Sequence, residues 1–119
     1  MKNVLVIGST GQIGSELTRE LRKRYGNDNI VAGFIKGAEP TGELKETGPA
    51  AEADVTNPEM IANVVKKHNV DTIYNLAALL SVVAENKPRL AWKIGVDGLW
   101  NILEVARENG CAVFTPSSI

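Results

Sequence analysis

Short, unbroken apolar runs alternate along this chain with longer stretches in which apolar residues recur every three or four positions. Val4-Leu5-Val6-Ile7 is apolar throughout, the pattern of a strand buried on both faces. Ile13, Leu17 and Leu21 follow at intervals of four and predict a first helix with one buried stripe. Arg22, Lys23 and Arg24 stand where they complement the C-terminal end of the helix dipole, and Gly26 is placed to cap it. Ile30 to Ile35 reads as a second buried strand, and Ala50 to Val55 as a short third strand ending at Asp54. Between them, Lys36 to Pro49 holds Gly37, Pro40, Gly42, Gly48 and Pro49 and predicts a long, mobile surface loop. Asn57-Pro58-Glu59 carries a capping side chain, a proline for the first helical position and a first-turn acid, and Ile61, Val64 and Val65 give that helix its buried face. Thr72 to Leu76 is the fourth strand. Pro88 opens a long helix with apolar positions Leu90, Ile94, Leu99, Ile102, Leu103 and Ala106, ending at Asn109-Gly110; Trp92 and Trp100 are packing residues on it. Ala112-Val113-Phe114 is the fifth strand. This alternation predicts a parallel sheet of about five strands with helices on both faces.

The chemistry is concentrated where the first strand meets the first helix, at Gly8-Ser9-Thr10-Gly11-Gln12-Ile13-Gly14. Gly8 allows a tight turn off the strand. Gly11 lets backbone N–H groups reach a pyrophosphate with no side chain in the way. Gly14 lets the helix pack close to the sheet. The helix N-terminus adds unpaired N–H donors and a partial positive charge. An ordinary glycine-rich turn would share the spacing, but its place after the first strand of a βαβ pattern makes it a phosphate cradle. The fold class expected is therefore α/β, a Rossmann-type dinucleotide-binding domain over residues 1–119.

Composition narrows the function further. A hydrophobic content of 44% and a charged content of 23% are those of a soluble globular domain. A net charge of −1 argues against nucleic-acid or membrane-surface partners. The single His68, beside Lys66 and Lys67, excludes a histidine-cluster metal site and reads as a solvated residue. The single Cys111 cannot form an internal disulfide, and no basic leader precedes a signal-type apolar stretch, so a reducing cytoplasm is expected. The apolar run around Leu76 to Ala84 is too short to span a bilayer.

Four motifs, taken in order, carry a family resemblance: Gly8-x-x-Gly11-x-x-Gly14, Asp54-Val55, Asn75-Leu76-Ala77-Ala78 and Pro116-Ser117-Ser118. Their order resembles the extended short-chain dehydrogenases/reductases. Gly11 to Leu17, Leu76 to Ser81 and Asn101 to Ala106 are similar to the L-threonine 3-dehydrogenases of that superfamily, the branch related to UDP-galactose 4-epimerases. The resemblance covers the whole chain. It implies NAD-dependent oxidation of L-threonine to 2-amino-3-ketobutyrate, with L-threonine or a similar small molecule as substrate and a homodimer as the assembly. It implies Ser118 as the catalytic hydroxyl and Ser81 as a substrate contact. It implies a cofactor set of Gly8, Gly11, Gln12, Ile13, Gly14, Phe34, Asp54, Val55, Leu76, Ala77 and Ala78. Within that set Asp54 would accept from the adenine amino group, and Ala77 and Ala78 would admit the nicotinamide ribose.

Two departures from the family pattern stand out. Such enzymes carry a Tyr-x-x-x-Lys pair, yet Tyr25 is followed four residues on by Asn29 and Tyr74 by Ala78. These 119 residues therefore correspond to the N-terminal portion of such an enzyme and are expected to be inactive alone. The alternatives are a nucleotide-sugar epimerase or dehydratase, or a dinucleotide-binding module without catalysis. The second departure concerns the cofactor. An acid is expected about 20 residues after the glycine turn to hold the adenosine ribose, and Phe34 stands there instead. Lys36 nearby would meet a 2′-phosphate as a point charge, unless it is simply a solvated loop lysine. NAD is expected, with discrimination against NADP weakened.

Overall fold

The computed structural model describes residues 2–77 and 88–115. Its elements are β1 (Val4–Ile7), α1 (Gln12–Tyr25), β2 (Ile30–Phe34), α2 (Gly42–Glu46), β3 (Ala50–Glu52), α3 (Pro58–Lys67), β4 (Thr72–Asn75), α4 (Pro88–Asn109) and β5 (Ala112–Phe114). A single 3-10 turn, Asn27–Asn29, leads into β2. The strands form one parallel sheet in the order β3-β2-β1-β4-β5. β1 lies at its centre, with Val4 opposite Ile30 on one side and Thr72 on the other. The order reverses between β1 and β4, and in open α/β sheets the crevice at the carboxyl ends of such a strand pair is where ligands bind.

The all-apolar β1 is explained by two separate cores. Leu5 and Ile7 point to the side covered by α3 and α4, among Val31, Ile61, Ile73 and Ile102. Val4 and Val6 point to the α1 side, with Leu21, Ile30 and Leu76. All four β1 side chains are at most 1% exposed. Truncating such a residue to alanine typically costs about 2–5 kcal/mol. At the opposite end of the sheet, Asp71 binds the entering strand: its carboxylate accepts the backbone N–H of Lys2 (2.9 Å) and of Asn3 (3.1 Å).

The capping signals hold. Gly26 has φ 101° and its N–H reaches the Arg22 carbonyl, while the Asn57 side chain accepts from the Met60 N–H at 3.1 Å. The parallel sheet, its five strands and their helices also match the sequence expectation.

The first helix presents only part of the predicted stripe: Leu21 is buried and Leu17 packs partly buried against the same core, but Ile13 does not join them. Ile13 is 59% exposed, and the buried face is Gly14, Thr18, Leu21 and Arg22. That face is set by the contact at Gly14, where α1 comes nearest to the β1 turn. Arg22 is not a surface charge at a helix end. It is 3% exposed and donates to the carbonyls of Ile30, Leu44 and Pro49 and to the Thr47 hydroxyl. The segment from Lys36 to Pro49 is accordingly no open loop. It contains α2, with Leu44 buried and its carbonyl 2.7 Å from the guanidinium.

Three strands stop short of their expected ends. β2 closes at Phe34, with Ile35 exposed; β3 closes at Glu52, before Asp54; β4 closes at Asn75, before Leu76. On α4, Ile102 and Ala106 are buried as expected and Val105 joins them, but Leu103 and Trp100 are exposed. The side chains of Leu90, Trp92 and Ile94 lie outside the described residues. Among the described residues no helix is long and apolar enough to cross a membrane.

Candidate functional site

The glycine turn occupies the carboxyl end of β1, beside the point where the strand order reverses. Gly8 has φ +81°, a conformation that side chains rarely adopt, and a β-carbon there would press on the Leu76 carbonyl group and the Ala77 nitrogen at 3.1–3.3 Å. The ends of β1 and β4 therefore meet backbone to backbone. Gly14 is required for a different reason: its β-carbon would overlap the Gly8 carbonyl. Gly11 differs from both. Its φ of −71° suits any residue, and a β-carbon would meet only the Gly8 oxygen, at an ordinary 3.6 Å. The space over Gly11 is open, as a cradle for a pyrophosphate requires.

Gly11 is also the N-cap of α1 and contributes no side-chain cap. The first N–H groups of a helix have no partner within the helix, so those of Gln12 and Ile13 are available to an anion at this helix end. Ser9 fixes the turn from below. Its hydroxyl (2.8 Å) and its N–H (3.0 Å) both donate to the Gly33 carbonyl of β2. Sequence reasoning missed Ser9, because a serine between glycine and threonine gives no signal of burial.

The neighbouring strand ends supply the rest. Asp54 lies in the turn between β3 and α3, where its Oδ1 accepts from the Thr56 N–H (2.9 Å) and hydroxyl (2.7 Å). This local bond leaves the second carboxylate oxygen for an external donor. The Val55 side chain is buried against α4, where any β-carbon at Gly98 would collide with it. Its carbonyl is already taken by the Asn101 amide at 2.9 Å. The Val55 side chain thus packs the crevice wall. Leu76 is buried and its N–H pairs with the Ile7 carbonyl at 3.0 Å. Ala77 follows, its N–H 3.2 Å from the Asn75 side chain. Phe34 is half-buried at the end of β2 and offers no acceptor. Ala78, Ser81 and Ser118 lie outside the described residues.

A cleft of about 310 Å³ opens beside the turn, lined by Thr10, Ser15, Arg19, Glu39, Pro40, Thr41, Glu43 and Leu44. The Glu39 carboxylate accepts the Gly37 N–H at 3.1 Å, which, with its own backbone N–H, holds it below the ordinary carboxylate range. Lys36 is exposed and does not line the cleft.

The profile of the NAD dependent epimerase/dehydratase family matches residues 4–118. A protein from Staphylococcus epidermidis, described as an epimerase/dehydratase, is 44% identical over all 119 residues, which span 37% of its length. Two L-threonine dehydrogenases of known structure are similar. That of Clostridium difficile is 46% identical over 99% of this chain and 37% of its own, with a TM-score of 0.89. That of Cupriavidus necator is 38% identical over 98% of this chain and 37% of its own, with a TM-score of 0.85. A dTDP-glucose 4,6-dehydratase from Bacillus anthracis shares the fold at 20% identity over 97% of this chain and 37% of its own, with a TM-score of 0.77. The chain thus spans somewhat over a third of the length of the proteins it matches.

Proposed function

The chain belongs to the NAD dependent epimerase/dehydratase family, and from that premise we propose that it is the dinucleotide-binding portion of an NAD-dependent L-threonine 3-dehydrogenase. The observation that carries the cofactor part is the glycine turn: two glycines are demanded by the fold, whereas Gly11 faces open space. The substrate part rests on the 46% identity with the Clostridium difficile enzyme. In this reading the amides at the start of α1 hold the pyrophosphate, and the free oxygen of Asp54 accepts from the adenine amino group. The backbone at Ala77 forms the wall for the second ribose. Bound nicotinamide would supply the hydride acceptor. Ser118 would donate a hydrogen bond to the substrate oxygen and stabilise it as its proton leaves. The base itself is not among these 119 residues, since neither tyrosine has a lysine four positions on.

A second reading, a nucleotide-sugar epimerase or dehydratase, draws on the description of the staphylococcal relative. A chimera separates the two. Residues 1–119 replace the matching segment of the Clostridium difficile L-threonine dehydrogenase, and NAD binding and threonine oxidation are measured. The expected result is retained oxidation. A folded, NAD-binding chimera that turns over a nucleotide sugar but not threonine would sink the dehydrogenase reading.

A further inference from the structure

The end of β2 poses a problem that the cleft beside it answers. A dinucleotide lying along the glycine turn brings its adenosine ribose to the end of the second strand, where a carboxylate ordinarily accepts from the ribose hydroxyls. Phe34 accepts nothing. The chain then turns back on itself: the Ala38 N–H bonds the Ile35 carbonyl at 3.0 Å, and Gly37 takes φ +93°. This tight turn delivers Glu39 to the rim of the cleft, across from Thr10 of the glycine turn.

We propose that Glu39, with Glu43 beside it in the same cleft, selects a dinucleotide whose adenosine ribose carries no 2′-phosphate. The proposal rests on the dinucleotide reading given above and deepens it. Three observations support it. The charged groups lining the cleft are one cation, Arg19, and two anions, Glu39 and Glu43. A 2′-phosphate entering there meets a net negative wall, while a ribose hydroxyl meets acceptors. The Glu39 carboxylate accepts from the Gly37 N–H and from its own backbone N–H, and an ionised carboxylate has lone pairs left for a ribose hydroxyl. The wall is braced at its back, where Leu44 is buried and its carbonyl accepts from Arg22. Lys36 and Lys45, the two residues of this segment whose charge would favour a 2′-phosphate, do not line the cleft.

The test is calorimetric titration of the chain with NAD and with NADP. Wild type is expected to bind NAD the more tightly. Glu39→Gln keeps an acceptor for the Gly37 N–H and removes only the charge, and at this exposed position the fold is retained, as an unchanged thermal midpoint would verify. The NAD-over-NADP ratio should fall about tenfold in Glu39→Gln and further in Glu39→Gln/Glu43→Gln. Added salt should narrow the wild-type ratio and leave that of the double variant nearly unmoved. A ratio unchanged by Glu39→Gln, or a wild type that prefers NADP, overturns this assignment alone. A chain that binds neither dinucleotide overturns the proposed function as well.

Discussion

Gly14 faces Gly8 across the turn so closely that a β-carbon on Gly14 would overlap the Gly8 carbonyl. Gly14→Ala must therefore push α1 away from β1 or distort the turn. We expect it to lower stability by about 1–3 kcal/mol, as overpacking does, and to weaken dinucleotide binding together with it. Urea denaturation and a titration with NAD check both. Equal stability would show that the helix can shift at no cost.

Gly11→Val is expected to behave in the opposite way. Valine tolerates the extended backbone at this position, and its branch points into open space. Stability should change by less than about 1 kcal/mol while NAD binding is lost. A variant that binds NAD as well as wild type does would reduce the turn to a structural feature.

Arg22 is a buried cation that pairs with no acid among the described residues; carbonyls of three residues and one hydroxyl accept from it. Burial pulls its guanidinium below the ordinary arginine range. Arg22→Met removes the shared donor to these carbonyls, of which that of Pro49 still keeps the Ala32 N–H, and we expect a loss of about 3 kcal/mol in unfolding free energy. The segment holding α2 should become sensitive to protease at the same time. Arg22→Lys should rescue only part, since an ammonium cannot span the carbonyls of Ile30, Leu44 and Pro49 together.

Asp71 links stability to pH. Burial raises its affinity for a proton, but bonds from the Thr72 hydroxyl and the Lys2 and Asn3 amides outweigh this, and its carboxyl sits below the ordinary aspartate range. A depressed folded-state value contributes stability that is present above the unfolded value, near pH 4, and is lost as pH falls through the folded one. Asp71→Asn should thus destabilise at pH 7 by roughly 1 kcal/mol and by clearly less near pH 2–3. Denaturation midpoints of both proteins across that range are the measurement. Parallel pH profiles would contradict the linkage.

The 119-residue chain alone should turn over L-threonine at least ~10²-fold more slowly than an intact dehydrogenase, because it lacks the tyrosine and lysine that move the proton. Steady-state NAD reduction with L-threonine tests this. A comparable rate would mean that the roles assigned here are wrong.

The order of elements was written in the sequence because each depends on neighbours a few residues away. An all-apolar β1 has to be buried on both faces, Asn57-Pro58 has to start a helix, and Gly26 has to end one. The glycine turn was legible for the same reason: strand, turn and helix are contiguous. What tertiary structure alone decided involves residues far apart in the chain. The buried face of α1 was extended from Leu17 and Leu21 to Gly14, Thr18 and Arg22, with Ile13 left out, because Gly14 meets Gly8; the spacing Gly14, Thr18, Leu21, Arg22 was itself a helical stripe once a glycine and a threonine were allowed to be core. The fate of Arg22 depended on carbonyls up to 27 residues away, for which a row of basic residues gives no sign. Those same contacts turned a glycine- and proline-rich stretch into a fixed wall carrying Glu39. A local pattern reports what a side chain prefers; only the folded chain determines which backbone groups are left for it to satisfy.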